Sequence, residues 1–443
     1  MISASFRRDM RTGADQGDSK KDLLYYIQVT VLTVAVVVFA SSLGLVAWVK
    51  KPRIWIYNWT FDTPFFPLAL GDYSGYSNHG SQIVKGNTFN RFITIWFENT
   101  DFDKAAGDPN FAFFAKKGIT LTNYFAVTHP SEPNYIASVT GDYFGIDNDE
   151  DNIIPANVSS VADLLEDKGI SWGEYEDYMP STGFTGFDFK DTKTHQNRYV
   201  KKHNPLITHA SVAKAAQRRN NIKNFTLFEE DLKNNRIPQW VFITPDMQND
   251  GHDTSVTYAG AWLRKFLEPL LKNPNFMKDT LILITFDENE TYTAQNRVFS
   301  ILLGDDVIPK HLVGTKDEGY YNHYSELATV QANWNLRTLG RYDVGANVFG
   351  IVRAKSGDKL RTLDISKVYN NESYPGIFNS DPKRWAPLPV PDTSAKFAGR
   401  TVLESIKRYW GRQQNKSVYK GAPLSIPTFQ QPPVYPKCAR RSN

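Results

Sequence analysis

The sequence predicts an α/β fold, a three-layer sandwich in which helices cover both faces of a mostly parallel central sheet. The first observation is a set of short, nearly continuous apolar runs, which are typical of strands buried on both faces. These runs are 92–97, 119–125, 171–175, 240–244, 280–286 and 298–303. The second observation is that helical patterns lie between them, at 158–168, 207–218, 225–234 and 258–271. Strands that alternate with helices predict a parallel sheet.

The composition suits one large folded domain with extensions, or two domains. The chain has 443 residues, of which 41% are hydrophobic and 14% aromatic, enough for a sizeable core. Its formal charge of +4 is small and spread out, so we expect no nucleic-acid partner. The one cysteine, Cys438, excludes an intrachain disulfide. That would usually indicate a reducing compartment, but the next two features indicate the opposite.

An uncharged segment near the N-terminus predicts a membrane anchor. Residues 23–49 carry no charge, and the run exceeds the roughly 20 residues that cross a bilayer. We interpret it as a transmembrane signal-anchor and residues 1–22 as a short cytosolic tail, on a weak bias of basic residues. The alternative is a cleaved signal peptide, which would leave the protein secreted.

The remainder divides into a stem at 50–89, a main domain at 90–355 and a C-terminal extension at 356–443 with a proline-rich tail. Six Asn-x-Ser/Thr sites follow the predicted span and none precedes it. They are Asn58, Asn157, Asn224, Asn289, Asn371 and Asn415. We therefore expect a glycosylated body in the secretory lumen, the vacuole or at the cell surface.

One stretch organises the main domain, T-H-P-S-E-P-N-Y-I-A-S-V-T-G at 128–141. It follows a predicted strand and begins a helix, which places Ser131 at a helix start on the carboxyl end of a sheet. Ligands bind at that end of α/β sheets, and helix starts favour phosphate. Ser131 could attack phosphorus there or serve only as a helix cap. Asn134 could bind a phosphate oxygen or finish the helix turn.

Acidic and histidine-bearing clusters come where other predicted strands end. Alone, each cluster could be a turn, a solvated loop, a cap or a buried structural residue. Because the carboxyl ends of parallel strands converge, we expect them to line one cleft with Ser131. The clusters hold Glu98 and Asn99, Asp250 and His252, Asp287 and Glu288, and His323.

Carboxylates crowded in this way require a cation. Oxygen ligands favour Mg²⁺, Ca²⁺ or Mn²⁺ over Zn²⁺, and the predicted ligands are Glu98, Asn99, Asp287 and Glu288. A metal ion touching Ser131 would lower the pKa of its hydroxyl. Three histidines could contact phosphate or protonate the leaving group, namely His129, His252 and His323. If one must be charged, activity falls above roughly pH 6–7.

Five motifs in this order resemble the phosphoesterase family of fungal secreted acid phosphatases and bacterial phospholipases C, within the alkaline-phosphatase-like superfamily. They are F-E-N-T-D-F-D (97–103), T-H-P-S-E-P-N-Y (128–135), T-P-D-M-Q-N-D-G-H-D (244–253), F-D-E-N (286–289) and N-H-Y-S (322–325). The resemblance covers roughly residues 90–350. It implies an alkaline-phosphatase-like fold with Ser131 as the phosphorylated nucleophile.

The resemblance also implies a metal among Glu98, Asn99, Asp287 and Glu288. It places His252, with Asp250 nearby, and His323 on the phosphate side or at a second metal. One departure is that Asp246 and His252 lie further apart than in two-zinc members of the superfamily. A second is that Asp287 is followed by glutamate instead of histidine. Both departures favour a single divalent metal ion.

These observations predict a metal-assisted acid phosphatase that hydrolyses phosphate monoesters through a phosphoserine. A phosphodiesterase or phospholipase C is the nearest alternative, since the same core serves both. A non-catalytic cell-surface or scaffold protein is the alternative of another class. In Y-V-K-K-H-N-P (199–205), Lys201, Lys202 or His203 could reach a phosphate or lie in a solvated loop.

Overall fold

The computed structural model describes residues 82–420 and confirms an α/β fold around an eight-stranded, mostly parallel sheet. Its strands are β1 (Arg91–Phe97), β2 (Ile119–Phe125), β3 (Trp172–Glu176), β6 (Ile222–Asn224), β7 (Trp240–Thr244), β8 (Thr280–Phe286), β9 (Arg297–Leu303) and β10 (Thr315–Asn322). The sheet order is β10-β2-β9-β8-β1-β7-β3-β6. All neighbours pair in parallel except that β9 runs antiparallel to both β2 and β8.

Helices occupy most of the connections. They are α1 (Phe102–Gly107), α2 (Pro109–Ala115), α3 (Ser131–Thr140), α4 (Val161–Asp167), α5 (Ala210–Ala213), α6 (Ala216–Arg219), α7 (Phe225–Lys233), α8 (Val256–Leu270), α9 (Pro274–Met277), α10 (His323–Trp334), α11 (Gly350–Ser356) and α12 (Glu404–Trp410). Two small hairpins pair β4 (Asp188–Lys190) with β5 (Asn197–Val200), and β11 (Lys396–Phe397) with β12 (Arg400–Thr401).

Two consecutive residues of β1 show why the sheet is a middle layer. Successive side chains of a strand point to opposite faces. The Trp96 ring contacts Tyr135 of α3 with centroids 4.8 Å apart, whereas the Phe97 ring contacts Phe111 of α2 at 5.2 Å and Trp262 of α8 at 5.9 Å. Helices therefore cover both faces, and every residue of β7 and β8 is buried.

The predicted elements were mostly confirmed, with four differences. Strand β6, only three residues long, was not predicted. The run at 207–218 forms two short helices, α5 and α6, instead of one. Strand β9 was predicted, but its antiparallel direction was not. Strand β10 was not predicted, because its first half, T-K-D-E, is a charged edge segment with alternating exposure.

The C-terminal extension packs onto the main domain within the described residues. Asn370 donates from Nδ2 to the Ala126 carbonyl at 2.8 Å, just beyond β2. The buried Tyr419 hydroxyl donates to Asp142 Oδ2, just beyond the end of α3. Residues up to 420 therefore support the edge of the sheet from which Ser131 follows.

The predicted membrane span at 23–49 lies outside the described residues, as do the tail before it and most of the stem. Among the helices between residues 82 and 420, none has the length and apolar character needed to cross a bilayer.

Candidate active site

Ser131 is the first residue of α3, six residues beyond the end of β2. Its hydroxyl donates to Glu98 Oε2 at 3.0 Å and lies 3.4 Å from Asn99 Oδ1. The helix cap is Pro130, so Ser131 is not the capping residue. The structure therefore does not show Ser131 as a helix cap, which was the alternative role for this serine.

Glu98 is the buried acceptor at the centre of the site. Its Oε1 accepts from the Tyr135 hydroxyl at 2.6 Å and lies 3.1 Å from His203 Nε2, at an angle that is not that of a hydrogen bond. Burial raises the pKa of Glu98, and the positive charge of Lys202 opposes the shift. Burial and the nearby Lys202 hold the pKa of His203 well below its ordinary value, so this imidazole is neutral.

Asp287 follows β8 and is completely buried. Neither of its carboxylate oxygens has a hydrogen-bond partner of good geometry among the described residues, although Ser131 lies close enough to lower its pKa. Burial first, and then the charges of Glu98 and Glu288, raise the pKa of Asp287. A buried carboxylate without a partner is costly, which indicates that a cation or donor belongs beside it.

Glu288 organises the opposite side of the site. Its Oε1 accepts from Asn99 Nδ2 at 2.7 Å and from the Tyr292 hydroxyl at 3.3 Å. Its Oε2 lies 2.5 Å from His129 Nδ1. The His129 ring also stacks on Tyr292 with centroids 3.7 Å apart, and its buried Nε2 has no partner among the described residues.

The loop after β7 brings Asp250 and His252 to the same site. The Asp250 carbonyl accepts from the Glu98 amide at 3.0 Å, and its Oδ2 lies 4.0 Å from His203 Nδ1. His252 is 43% exposed and its Nδ1 contacts Asp253 at 2.9 Å. The His252 amide donates to Asp250 Oδ1 at 3.0 Å, which places this residue at the solvent side of the cleft.

Lys202 is a cation at the site. It lies in a 3₁₀ turn, Lys201–His203, and its ammonium donates to Asp149 at 2.9 Å. Burial alone would lower the pKa of Lys202, but the nearby charges of Glu98, Asp149 and Asp287 raise it well above its ordinary value. The side chain therefore stays positively charged next to the buried carboxylates.

Two predicted site residues lie behind the cleft. His323 Nε2 bonds to the Asp287 carbonyl at 2.6 Å, and burial lowers its pKa to about 3, so it does not supply a charged histidine. Asn134 accepts from the Val127 amide at 2.9 Å and donates to the carbonyls of Thr128 and Pro130. Its amide is fully used by the loop before Ser131, which favours the structural alternative for Asn134.

The fit of the predicted metal site can be judged from the donors. Between residues 82 and 420, no three His, Cys, Asp or Glu side chains form a metal-ligand group. A divalent ion would therefore rely on Asn99 and Ser131 for part of its oxygen set, with Glu98 and Asp287. The unpartnered oxygens of Asp287 fit a hard cation. The oxygens of Glu98 accept from Ser131 and Tyr135, and those of Glu288 contact Asn99 and His129.

Sequence reasoning missed Tyr135 and underrated Lys202 and His203. Tyr135 lies four residues after Ser131, on the same helical face, so its spacing was a usable signal. His203 stacks on the Tyr135 ring with centroids 5.0 Å apart. Both basic residues were visible in the 199–205 motif, but no local pattern shows that this turn folds against Glu98.

The chain is similar in sequence to fungal acid phosphatases. The chain is 53% identical to an acid phosphatase of Aspergillus fumigatus over 78% of this chain and 77% of that protein. It is 50% identical to a probable acid phosphatase of Kluyveromyces lactis over 76% of this chain and 79% of that protein.

A solved structure of an alkaline phosphatase superfamily protein from Vibrio parahaemolyticus has a TM-score of 0.37 and 12% identity, covering 56% of this chain and 66% of that one. An alkaline-phosphatase-like fold stays a prediction. Residues 110–337 match the Phosphoesterase family. On this match and the two fungal relatives, the chain belongs to the Phosphoesterase family.

Proposed function

We propose that the chain is an acid phosphatase that hydrolyses phosphate monoesters through a phosphoserine at Ser131. The observation that carries the proposal is the Ser131 hydroxyl at a helix start, hydrogen-bonded to the buried Glu98. The fungal relatives support the assignment as a phosphoric monoester hydrolase.

The first step is attack of Ser131 Oγ on phosphorus, in line with the leaving alcohol. The Oγ–P bond forms, the ester P–O bond breaks, and the serine proton moves to Glu98 Oε2, which already accepts its hydrogen bond. The positive end of the α3 dipole and the ammonium of Lys202 stabilise the charge on the equatorial oxygens.

The leaving alcohol takes a proton from His252. This ring is partly exposed at the solvent side of the cleft, where a leaving alcohol can depart, whereas the ring of His129 is nearly completely buried. Water then attacks phosphorus and gives a proton to His252, the Oγ–P bond breaks, Ser131 Oγ takes back its proton from Glu98 Oε2, and phosphate leaves. His323 acts only through Asp287, whose carbonyl it binds.

We also propose one divalent metal ion held by Glu98, Asn99, Asp287 and Ser131. When bound, it would lower the pKa of the serine hydroxyl and neutralise part of the buried negative charge. Glu288 would orient Asn99 through the hydrogen bond at 2.7 Å. This arrangement differs from the predicted ligand set in using Ser131, which lies beside Glu98, with Glu288 behind Asn99.

The test is hydrolysis of p-nitrophenyl phosphate across a pH series, with wild type beside Ser131→Ala, supplied with Mg²⁺, Mn²⁺ or Ca²⁺. The matched control is Ser138→Ala on the same helix, whose buried hydroxyl only bonds the Tyr135 carbonyl. We expect acid turnover that Ser131→Ala loses by at least about 10³-fold and Ser138→Ala retains.

A phosphodiester substrate, bis-p-nitrophenyl phosphate, is run in parallel. Turnover of the diester alone would assign the protein as a phosphodiesterase and refute the proposal. Turnover of neither ester by folded, metal-supplied protein would favour a non-catalytic role. Undiminished turnover by Ser131→Ala would exclude this serine as the nucleophile.

A further inference from the structure

We propose that Asp149 is a positioning residue that holds Lys202 against the start of the nucleophile helix, which rests on the proposed function. Asp149 Oδ2 accepts from Lys202 Nζ at 2.9 Å. Its Oδ1 accepts from the amide of Glu132, the residue after Ser131, at 3.0 Å. One carboxylate therefore joins the lysine to the first turn of the helix that carries the nucleophile.

Lys202 needs such an anchor because of its surroundings. A lysine ammonium sits on a flexible four-carbon stem and behaves as a mobile point charge. Glu98 and Asp287 are both completely buried, and neither oxygen of Asp287 has a hydrogen-bond partner among the described residues. Without a competing partner, the ammonium would pair directly with one of them. The charge-assisted bond to Asp149 keeps Lys202 at the rim, where an incoming phosphate can meet it.

The adjacent lysine supplies a matched control. Lys201 Nζ pairs with Asp151 Oδ1 at 2.5 Å, in the same loop and the same turn. The two aspartate–lysine pairs share residue types and charge. Only Asp149 also binds the Glu132 amide. Neutralising Asp151 therefore repeats the charge change without touching the helix start or Lys202.

The test is a double-mutant cycle of Asp149→Asn and Lys202→Met in the full chain, with Asp151→Asn as control. The side-chain oxygen of asparagine can still accept a hydrogen bond from the Glu132 amide. Its side-chain NH₂ group, which replaces the second carboxylate oxygen, cannot accept one from Lys202. We expect kcat/KM for p-nitrophenyl phosphate to fall about tenfold in Asp149→Asn and about a hundredfold in Lys202→Met. The double variant should match Lys202→Met, and Asp151→Asn should stay within about twofold of wild type.

Additive losses in the double variant would show that Asp149 acts without Lys202 and would overturn the inference. An equal loss of kcat/KM in Asp151→Asn would show that the effect comes from the change in net charge, and would also overturn the inference. A merely structural role for Asp149 would persist in the Lys202→Met background, so the coupling separates it from positioning.

Binding of inorganic phosphate gives a readout that does not depend on turnover. The same cycle is repeated in Ser131→Ala protein by calorimetry, where we expect Asp149→Asn to weaken phosphate about tenfold only when Lys202 is present. If wild type hydrolyses no monoester, the proposed function has failed, while this coupling still decides the role of Asp149. Phosphate affinity unchanged by Asp149→Asn would refute it.

Discussion

Replacement of Glu326 by glutamine tests how much stability the protein loses when a buried carboxyl beneath the site ionises. Glu326 lies on α10, only 4% exposed, and its Oε1 accepts from the Tyr124 hydroxyl at 2.8 Å. Burial raises its pKa to about 7, although hydrogen bonds from Tyr124 and Trp96 oppose the shift. We expect the glutamine variant to be more stable than wild type above pH 7 and nearly equal to it at pH 4.

The magnitude follows from linkage. An exposed glutamate has a pKa of roughly 4.3, so the unfolded chain loses this proton well before the folded one. Wild type therefore loses stability as the pH rises from about 4 to about 7, by about 3–4 kcal/mol at about 1.4 kcal/mol per pH unit. For roughly 340 ordered residues, this corresponds to about 4–6 °C in Tm.

The assay is thermal unfolding of the full chain at pH 4 and pH 8, followed by circular dichroism. Exposed Glu229 on α7 provides the control Glu229→Gln, whose difference from wild type should be small at both pH values. A Glu326→Gln advantage that is the same at pH 4 and pH 8 would mean that Glu326 ionises like an exposed carboxyl. That result would refute the reasoning from burial.

Three further outcomes are expected. Asp287→Asn should lower kcat by at least about a hundredfold yet raise Tm in metal-free buffer, because it removes a buried charge without a partner; a fall in Tm on unfolding scans would contradict this. Chelation with EDTA should abolish hydrolysis, and Mg²⁺, Mn²⁺ or Ca²⁺ should restore both activity and Tm; full activity after exhaustive chelation would contradict a metal requirement. In protein secreted from yeast, glycopeptide mass spectrometry should find a glycan on exposed Asn415 and none on buried Asn289 or Asn371; occupied Asn289 in active protein would contradict the site.

The central strands could be predicted from the sequence because their apolar runs are bounded by polar residues. Strands β2, β7 and β8 begin and end where the pattern indicates. The direction of β9 could not be predicted, since hydrophobic periodicity carries no sign for strand direction. Strand β10 was not predicted from the sequence because an edge strand can tolerate charged residues that a central strand cannot.

The residue types of the site could also be predicted, but not which way each side chain points. Asp287 and His323 both follow strands. The carboxylate oxygens of Asp287 have no hydrogen-bond partner among the described residues, whereas the His323 ring is buried behind Asp287 and bonds to its carbonyl. Lys202 reaches the site by a fold-back of the chain between β5 and α5, and no local pattern shows which elements that turn meets. The positions of these three side chains depend on contacts between segments that are far apart in the sequence, which local patterns do not show.

The pairing of β1 has a consequence for biosynthesis. Phe97 pairs with Phe286, about 190 residues later in the chain, and β7 on the other side is also distant. At roughly 5–20 residues per second, the ribosome needs about 10–40 s to complete β8 after β1. Both edges of this apolar strand are unpaired until β7 has been made, and one edge stays unpaired until β8 follows. We expect newly made chains to depend on chaperones during this interval, and slow translation to increase aggregation.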